Sequence, residues 1–209
     1  LDTHEKQAAA IYQWVNKNVR YLLVVLDFGG WVPHSTTEIL KNGYGDCKDY
    51  TTLIYALLKA KGIESTPALI NADFGNWFPR VPVKSYFNHA VLYVPSLKLF
   101  ADATAPNTRL GIIPQPLIGK TALLSSEKSG LIEVPKNDPE SNQVSSEAEI
   151  ELAENGDLKA VSKSVFTGRS EIALRPMFGD KSRYLPSDTL VKILLAFYGI
   201  NGTGRILSM

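Results

Sequence analysis

The stretch from Gly43 to Gly62, GYGDCKDYTTLIYALLKAKG, constrains the fold more than any other part of the chain. Its apolar residues Tyr50, Leu53, Ile54, Leu57 and Leu58 fall at i, i+3, i+4, i+7 and i+8, the stripe of a helix packed on a core. Gly62 supplies a left-handed stop. Ahead of the stripe, Gly43, Gly45 and Asp46 provide permissive backbone and a side-chain acceptor for unpaired helical N–H groups. Cys47, the one cysteine in 209 residues, therefore falls at the first helical turn. Unpaired N–H groups and the positive end of the helix dipole favour a thiolate there, which is the nucleophilic form. A lone cysteine is commonly a small buried hydrophobe. Asp46, Lys48 and Asp49 make an atypical apolar slot, and that turns the reading toward chemistry.

With 44% hydrophobic residues the chain has material for a real core in one large or two small domains. Twenty-two basic residues stand against 21 acidic ones and are scattered, so no nucleic-acid partner is expected. A single cysteine excludes an intramolecular disulfide framework and a Cys-rich metal site. The three histidines, His4, His34 and His89, are spaced 30 and 55 apart and form no ligand pattern. No metal and no cofactor is expected. The longest apolar runs, Tyr21 to Leu26 and Leu190 to Tyr198, are short or interrupted by Lys192, so no membrane span is expected. The sequence opens on Leu1 without a leader pattern and reads as an excised or processed piece.

Thr3 caps a helix striped by Ala8, Ile11, Tyr12, Val15 and Val19, with Trp14 on its flank and His4 exposed on its first turn. Arg20 to Leu26 reads as a short buried strand, broken by Asp27, Gly29 and Gly30. Ser35-x-x-Glu38 is a capping box for a short helix running toward Gly43. Trp31 and His34 lie on the approach to the cysteine and are candidate cleft residues; the plainer role for such an aromatic is to pack over a loop. Ser65 to Asn71 reads as a strand. The irregular segment from Asp73 to Lys84, carrying Trp77, has the length of a binding loop, and Trp77 joins the cleft candidates.

Tyr86 to Val94 and Leu97 to Asp102 are strand-patterned, with Pro95-Ser96 as the turn. A two-residue loop pairs Val94 with Leu97 and His89 with Asp102. Opposed residues share a face, so this register lets Asp102 orient the His89 imidazole. The domain reading places a core at 1–127, a linker at 128–143, where Ser, Pro and Asn collect, and a β-rich module with helices at 144–209. In that module 147–152 and 158–166 form a hairpin around Asn155-Gly156-Asp157, followed by helices at 170–177 and 187–198, and it reads as incomplete.

Cys47, His89 and Asp102, in that order, are the groups nucleophilic acyl transfer requires: a thiol, a proton shuttle and an orienting carboxylate. The Cys47 N–H at a helix start is one oxyanion donor; the sequence does not identify a second. GYGDCKDYTTLIYALLKAKGI, FNHAVLYVP and FADAT, with WVPHSTTEIL upstream, resemble the transglutaminase-like superfamily, specifically bacterial proteins whose core lies beside β-rich domains. The resemblance spans Thr3 to Pro106, and DAT stands where that family often has D-P-T. It implies an α+β, papain-like fold with the cysteine helix on an antiparallel sheet. It also implies a Cys47–His89–Asp102 triad acting through a thioester on amide or peptide bonds, with a peptide or protein substrate and export to the periplasm or cell surface. The competing expectation is a catalytically silent binding or assembly module of the cell envelope.

Overall fold

The computed structural model describes residues 2–22, 30–73, 75, 77–81, 83–105, 107–126, 130–136, 138–178 and 187–208. They divide into two compact units, 1–137 and 138–209. The first unit is an α+β core. Helix α1, His4–Asn18, starts where the Thr3 side chain accepts a hydrogen bond from the Lys6 amide, and it buries Ala8, Tyr12 and Val15 of the expected stripe. Helix α2, Thr36–Asn42, opens on the Ser35/Glu38 capping box and ends at Gly43 with φ 69°. A side chain at that φ would be strained, so this is the position where glycine is needed. Helix α3, Cys47–Ala60, buries Tyr50, Leu53, Ile54 and Leu58 of its stripe.

Five strands form an antiparallel sheet: β3 (Thr66–Ile70), β4 (His89–Val94), β5 (Leu99–Ala101), β6 (Thr121–Leu124) and β7 (Leu131–Glu133), in the order β5-β4-β3-β6-β7. Leu92, Val94 and Ala101 on one face pack with Tyr12, Val15, Leu53, Ile54 and Leu58 of α1 and α3. Ala68, Ile70, Val91 and Phe100 on the other are covered by Ile113, Leu117 and Val134. A sheet buried on both faces explains why β4 is nearly continuously apolar rather than alternating. A short parallel pair, β1 (Arg20–Tyr21) with β2 (Tyr44–Gly45), sets Tyr21 opposite Gly45.

The structure corrects one expectation, describes another only at its start and adds detail to a third. The strand expected over Arg20 to Leu26 is only Arg20–Tyr21 among described residues, and 23–29 lie outside them. The β4–β5 connection is not a two-residue turn: Pro95–Leu97 forms a 3-10 turn and Lys98 turns left-handed at φ 52°, so Val94 pairs with Leu99. Extending that register sets His89 opposite Thr104 and Asp102 opposite Val91. Because the slip is by two, the faces are preserved, and His89 and Asp102 remain diagonal neighbours on one face. Lastly, the 128–143 stretch is more than a connection. Leu131–Glu133 pairs as the edge strand β7, and Val134 is buried in the core behind it; the division between the two units also falls inside this stretch.

The second unit carries the expected hairpin, β8 (Val144–Leu152) with β9 (Leu158–Phe166), closed by a turn with Gly156 at φ 87°. Helices α4, Gly168–Phe178, and α5, Ser187–Phe197, follow.

Candidate active site

The thiol's position begins with Gly45. A Cβ on this residue would stand 2.7 Å from the Asp49 Cβ, closer than side chains approach, so only glycine lets β2 run against the first turn of α3. Asp46 then caps the helix: its Oδ1 accepts from the amides of Lys48 at 3.1 Å and Asp49 at 3.3 Å. Asp49 returns the bond, accepting from the Asp46 amide at 3.1 Å, which completes a reciprocal box. Lys48 Nζ pairs with the Asp46 carboxylate, and both residues are buried. The Cys47 N–H is left without a hydrogen-bond partner among the described residues. It is an orphan donor at the positive end of a helix, beside the sulphur it belongs to.

His89 opens β4 and its Nε2 lies 2.8 Å from Asp102 Oδ2. The other carboxylate oxygen accepts from the Thr104 amide at 3.0 Å and the Thr104 hydroxyl at 2.6 Å. Helix α1 holds the backbone of this segment. The Tyr12 hydroxyl donates to the Asp102 carbonyl at 2.6 Å, and Asn16 Nδ2 donates to the carbonyls of Ala103 at 2.8 Å and Ala105 at 3.0 Å. Burial alone would depress the His89 imidazole. The charge and hydrogen bond of Asp102 outweigh it, Cys47 adds to them, and the imidazole is pushed up to about 10. Burial would likewise raise the Asp102 carboxyl, but the His89 charge and hydrogen bonds from His89 and Thr104 hold it below the ordinary carboxylate value. With Nε2 committed to Asp102, Nδ1 is the ring nitrogen available to the sulphur.

Cys47 packs on Ala90, the residue after His89, with Tyr21, Trp31 and Leu69 around them. The thiol residue is 3% exposed. The three side chains of this apolar collar, Tyr21, Trp31 and Leu69, are each only partly buried.

The expected cleft residues fare differently. Trp31 is in the collar, with Lys84 Nζ 4.7 Å from the centroid of its ring. His34 binds Asp49 rather than a cleft: its amide donates to Oδ1 at 2.8 Å and its Nδ1 lies 3.0 Å from Oδ2. That bond and the carboxylate's charge raise the His34 pKa. Trp77 is 70% exposed and edge-on to Tyr86, whose hydroxyl donates to the Trp77 carbonyl at 2.5 Å. The loop's start is fixed by the buried Lys120, whose ammonium donates to the carbonyls of Asn71 and Asp73. Tyr12, Asn16 and Thr104 escape the sequence reading. Tyr12 carries a polar handle within an apolar stripe, and Asn16 follows it at i+4; both signals point to a buried partner.

A depression of about 650 Å³ lined by Tyr55, Ser65, Thr66, Leu69 and Leu124 runs along β3; Leu69 also packs against Cys47 and Ala90, but Cys47, His89 and Asp102 do not line it. Among the described residues no cluster of three or more His, Cys, Asp or Glu is placed to hold a metal ion. Among them, too, no helix is long and apolar enough to cross a membrane.

A helix-borne thiol set against an antiparallel sheet that presents a His–Asp pair defines an α+β core of the papain-like kind. The profile of the transglutaminase-like superfamily matches residues 1–90, so this part of the chain is similar to that superfamily. The solved structure of "a putative protease" from Parabacteroides distasonis shares the fold, with a TM-score of 0.51 at 14% identity over 66% of this chain. The chain spans only 25% of that protein's length. No curated protein matches the chain.

Proposed function

We propose that the first unit is a thiol-dependent acyl-transfer enzyme acting on amide or peptide bonds, with Cys47 as nucleophile, His89 as proton shuttle and Asp102 as its orienting partner. The observation that carries this reading is the buried His89–Asp102 pair, 2.8 Å apart, beside a cysteine at a capped helix start. The Cys47 sulphur, its proton taken by His89 Nδ1, bonds to the carbonyl carbon, and the π electrons move to oxygen. The tetrahedral intermediate collapses as the C–N bond breaks, and the departing amine takes the proton from Nδ1. A thioester remains on Cys47. Water or a second amine, deprotonated by His89, attacks it and releases the thiolate. The Cys47 N–H faces the developing oxyanion.

Burial of Cys47 to 3% favours the second reading, a silent binding module that keeps the fold. A panel of peptide amides, esters and thioesters incubated with the protein and read by intact mass separates the two. A covalent acyl adduct that vanishes in Cys47→Ala and slows in His89→Ala is the enzyme's signature. Absence of any adduct across the panel, with normal folding, leaves the module.

A further inference from the structure

The orphan Cys47 N–H is one oxyanion donor, and an acyl-transfer site of this kind works with more than one. Among the described residues of this apolar cluster, Tyr21 carries the one hydroxyl. Two contacts fix its ring. The parallel β1–β2 bridge sets Tyr21 opposite Gly45, two residues before the thiol, and the ring stands edge-on to Tyr50 of α3 at 5.7 Å and 87°. Tyr50 is itself anchored, donating its hydroxyl to the Val19 carbonyl. The Tyr21 hydroxyl, by contrast, makes no hydrogen bond among the described residues and is not sealed from solvent. A phenol whose ring is held and whose O–H is unspent, beside a nucleophile, is preorganised to donate to charge that appears only during reaction.

We infer that the Tyr21 hydroxyl is the second oxyanion donor, closing with the Cys47 N–H on the carbonyl oxygen of the bound acyl donor. The electrostatics agree. Burial first, and then the negative charges of Cys47, Asp102 and Asp46, keep Tyr21 protonated, so the group stays a donor. No proton leaves Tyr21 in this role. It donates to the oxyanion as the sulphur–carbon bond forms and relaxes when the carbonyl is restored. The inference rests on the acyl-transfer reading above.

The test pairs two probes of one thiol. p-Nitrophenyl acetate acetylates Cys47 through a tetrahedral oxyanion, with a leaving group that needs no proton; iodoacetamide alkylates the same sulphur by displacement, with no oxyanion at all. Tyr21→Phe keeps the ring and its packing on Tyr50. It is expected to slow acetylation roughly 100-fold while leaving alkylation within about two-fold, whereas His89→Ala slows both. Unchanged acetylation in Tyr21→Phe overturns the inference and leaves the acyl-transfer reading standing. Equal loss with both probes also overturns it, because the hydroxyl would then act on the thiol or the fold. Failure of the wild-type protein to acetylate at Cys47 overturns the acyl-transfer reading, and this inference with it.

Discussion

Replacing Asp102 with Asn removes a charge from the site at almost constant shape, and the structure fixes what His89 should then do. In the native protein the imidazole is raised from 6.5 to about 10, with burial opposing the carboxylate throughout. That difference corresponds to at most about 5 kcal/mol, at roughly 1.4 kcal/mol per pKa unit. Take the carboxylate away and burial, the largest single influence, is opposed only by Cys47, so His89 in Asp102→Asn should titrate well below its native value of about 10.

The pH dependence of stability should weaken with it. A pKa raised by folding contributes stability that is complete below the unfolded value of 6.5 and is lost as pH rises toward 10. Asp102, lowered from 3.8, contributes above that value and loses its share as pH falls through the folded pKa. Native stability should therefore hold near pH 5 to 6 and decline toward pH 10, and that decline should be smaller in Asp102→Asn. Heteronuclear NMR of the three imidazoles reads the first effect, and urea melts at several pH values read the second. A native His89 that titrates near 6.5, or one indifferent to Asp102→Asn, refutes the reasoning.

Other substitutions probe the supports. Gly45→Ala drives a methyl against the Asp49 Cβ at 2.7 Å and should cost about 1–3 kcal/mol in a thermal or urea melt while slowing Cys47 alkylation. Tyr12→Phe leaves the buried Asp102 carbonyl without its 2.6 Å donor; about 1–3 kcal/mol of stability should go, with the NMR pKa of His89 falling as its partner loosens. Trp31→Ala opens the collar over a thiol residue that is 3% exposed, so iodoacetamide should reach Cys47 several-fold faster.

The cysteine helix is legible because its stripe, stop and cap are local: Tyr50 through Leu58, Gly62 and Asp46 each announce a role within a few residues. The His89–Asp102 contact is legible by parity. The turn length fails, since Lys98 enters the left-handed region without being glycine, yet a slip of two preserves the faces. What stays hidden is tertiary. β7 is a run of three residues, Leu131–Glu133, inside a stretch whose flanks are rich in Ser, Pro and Asn, and that composition masks it until β6 pairs with it. His34 reads as a cleft residue from its aromatic, glycine-rich surroundings, whereas its partner Asp49 lies fifteen positions on, in the cysteine helix. Tyr12 and Asn16 reach Asp102 and Ala103 across nearly ninety positions, and no periodicity encodes that reach.

The central claim, that His89 activates Cys47, is tested most directly by the pH profile of iodoacetamide alkylation in native and His89→Ala protein. The shape of the profile matters rather than the absolute rate, because burial of the sulphur scales all rates alike. Activation by His89 predicts a native rate that varies little with pH, and His89→Ala should restore the steep rise with pH of an unassisted thiol. A native profile that already rises like a free thiol and does not respond to His89→Ala contradicts the account.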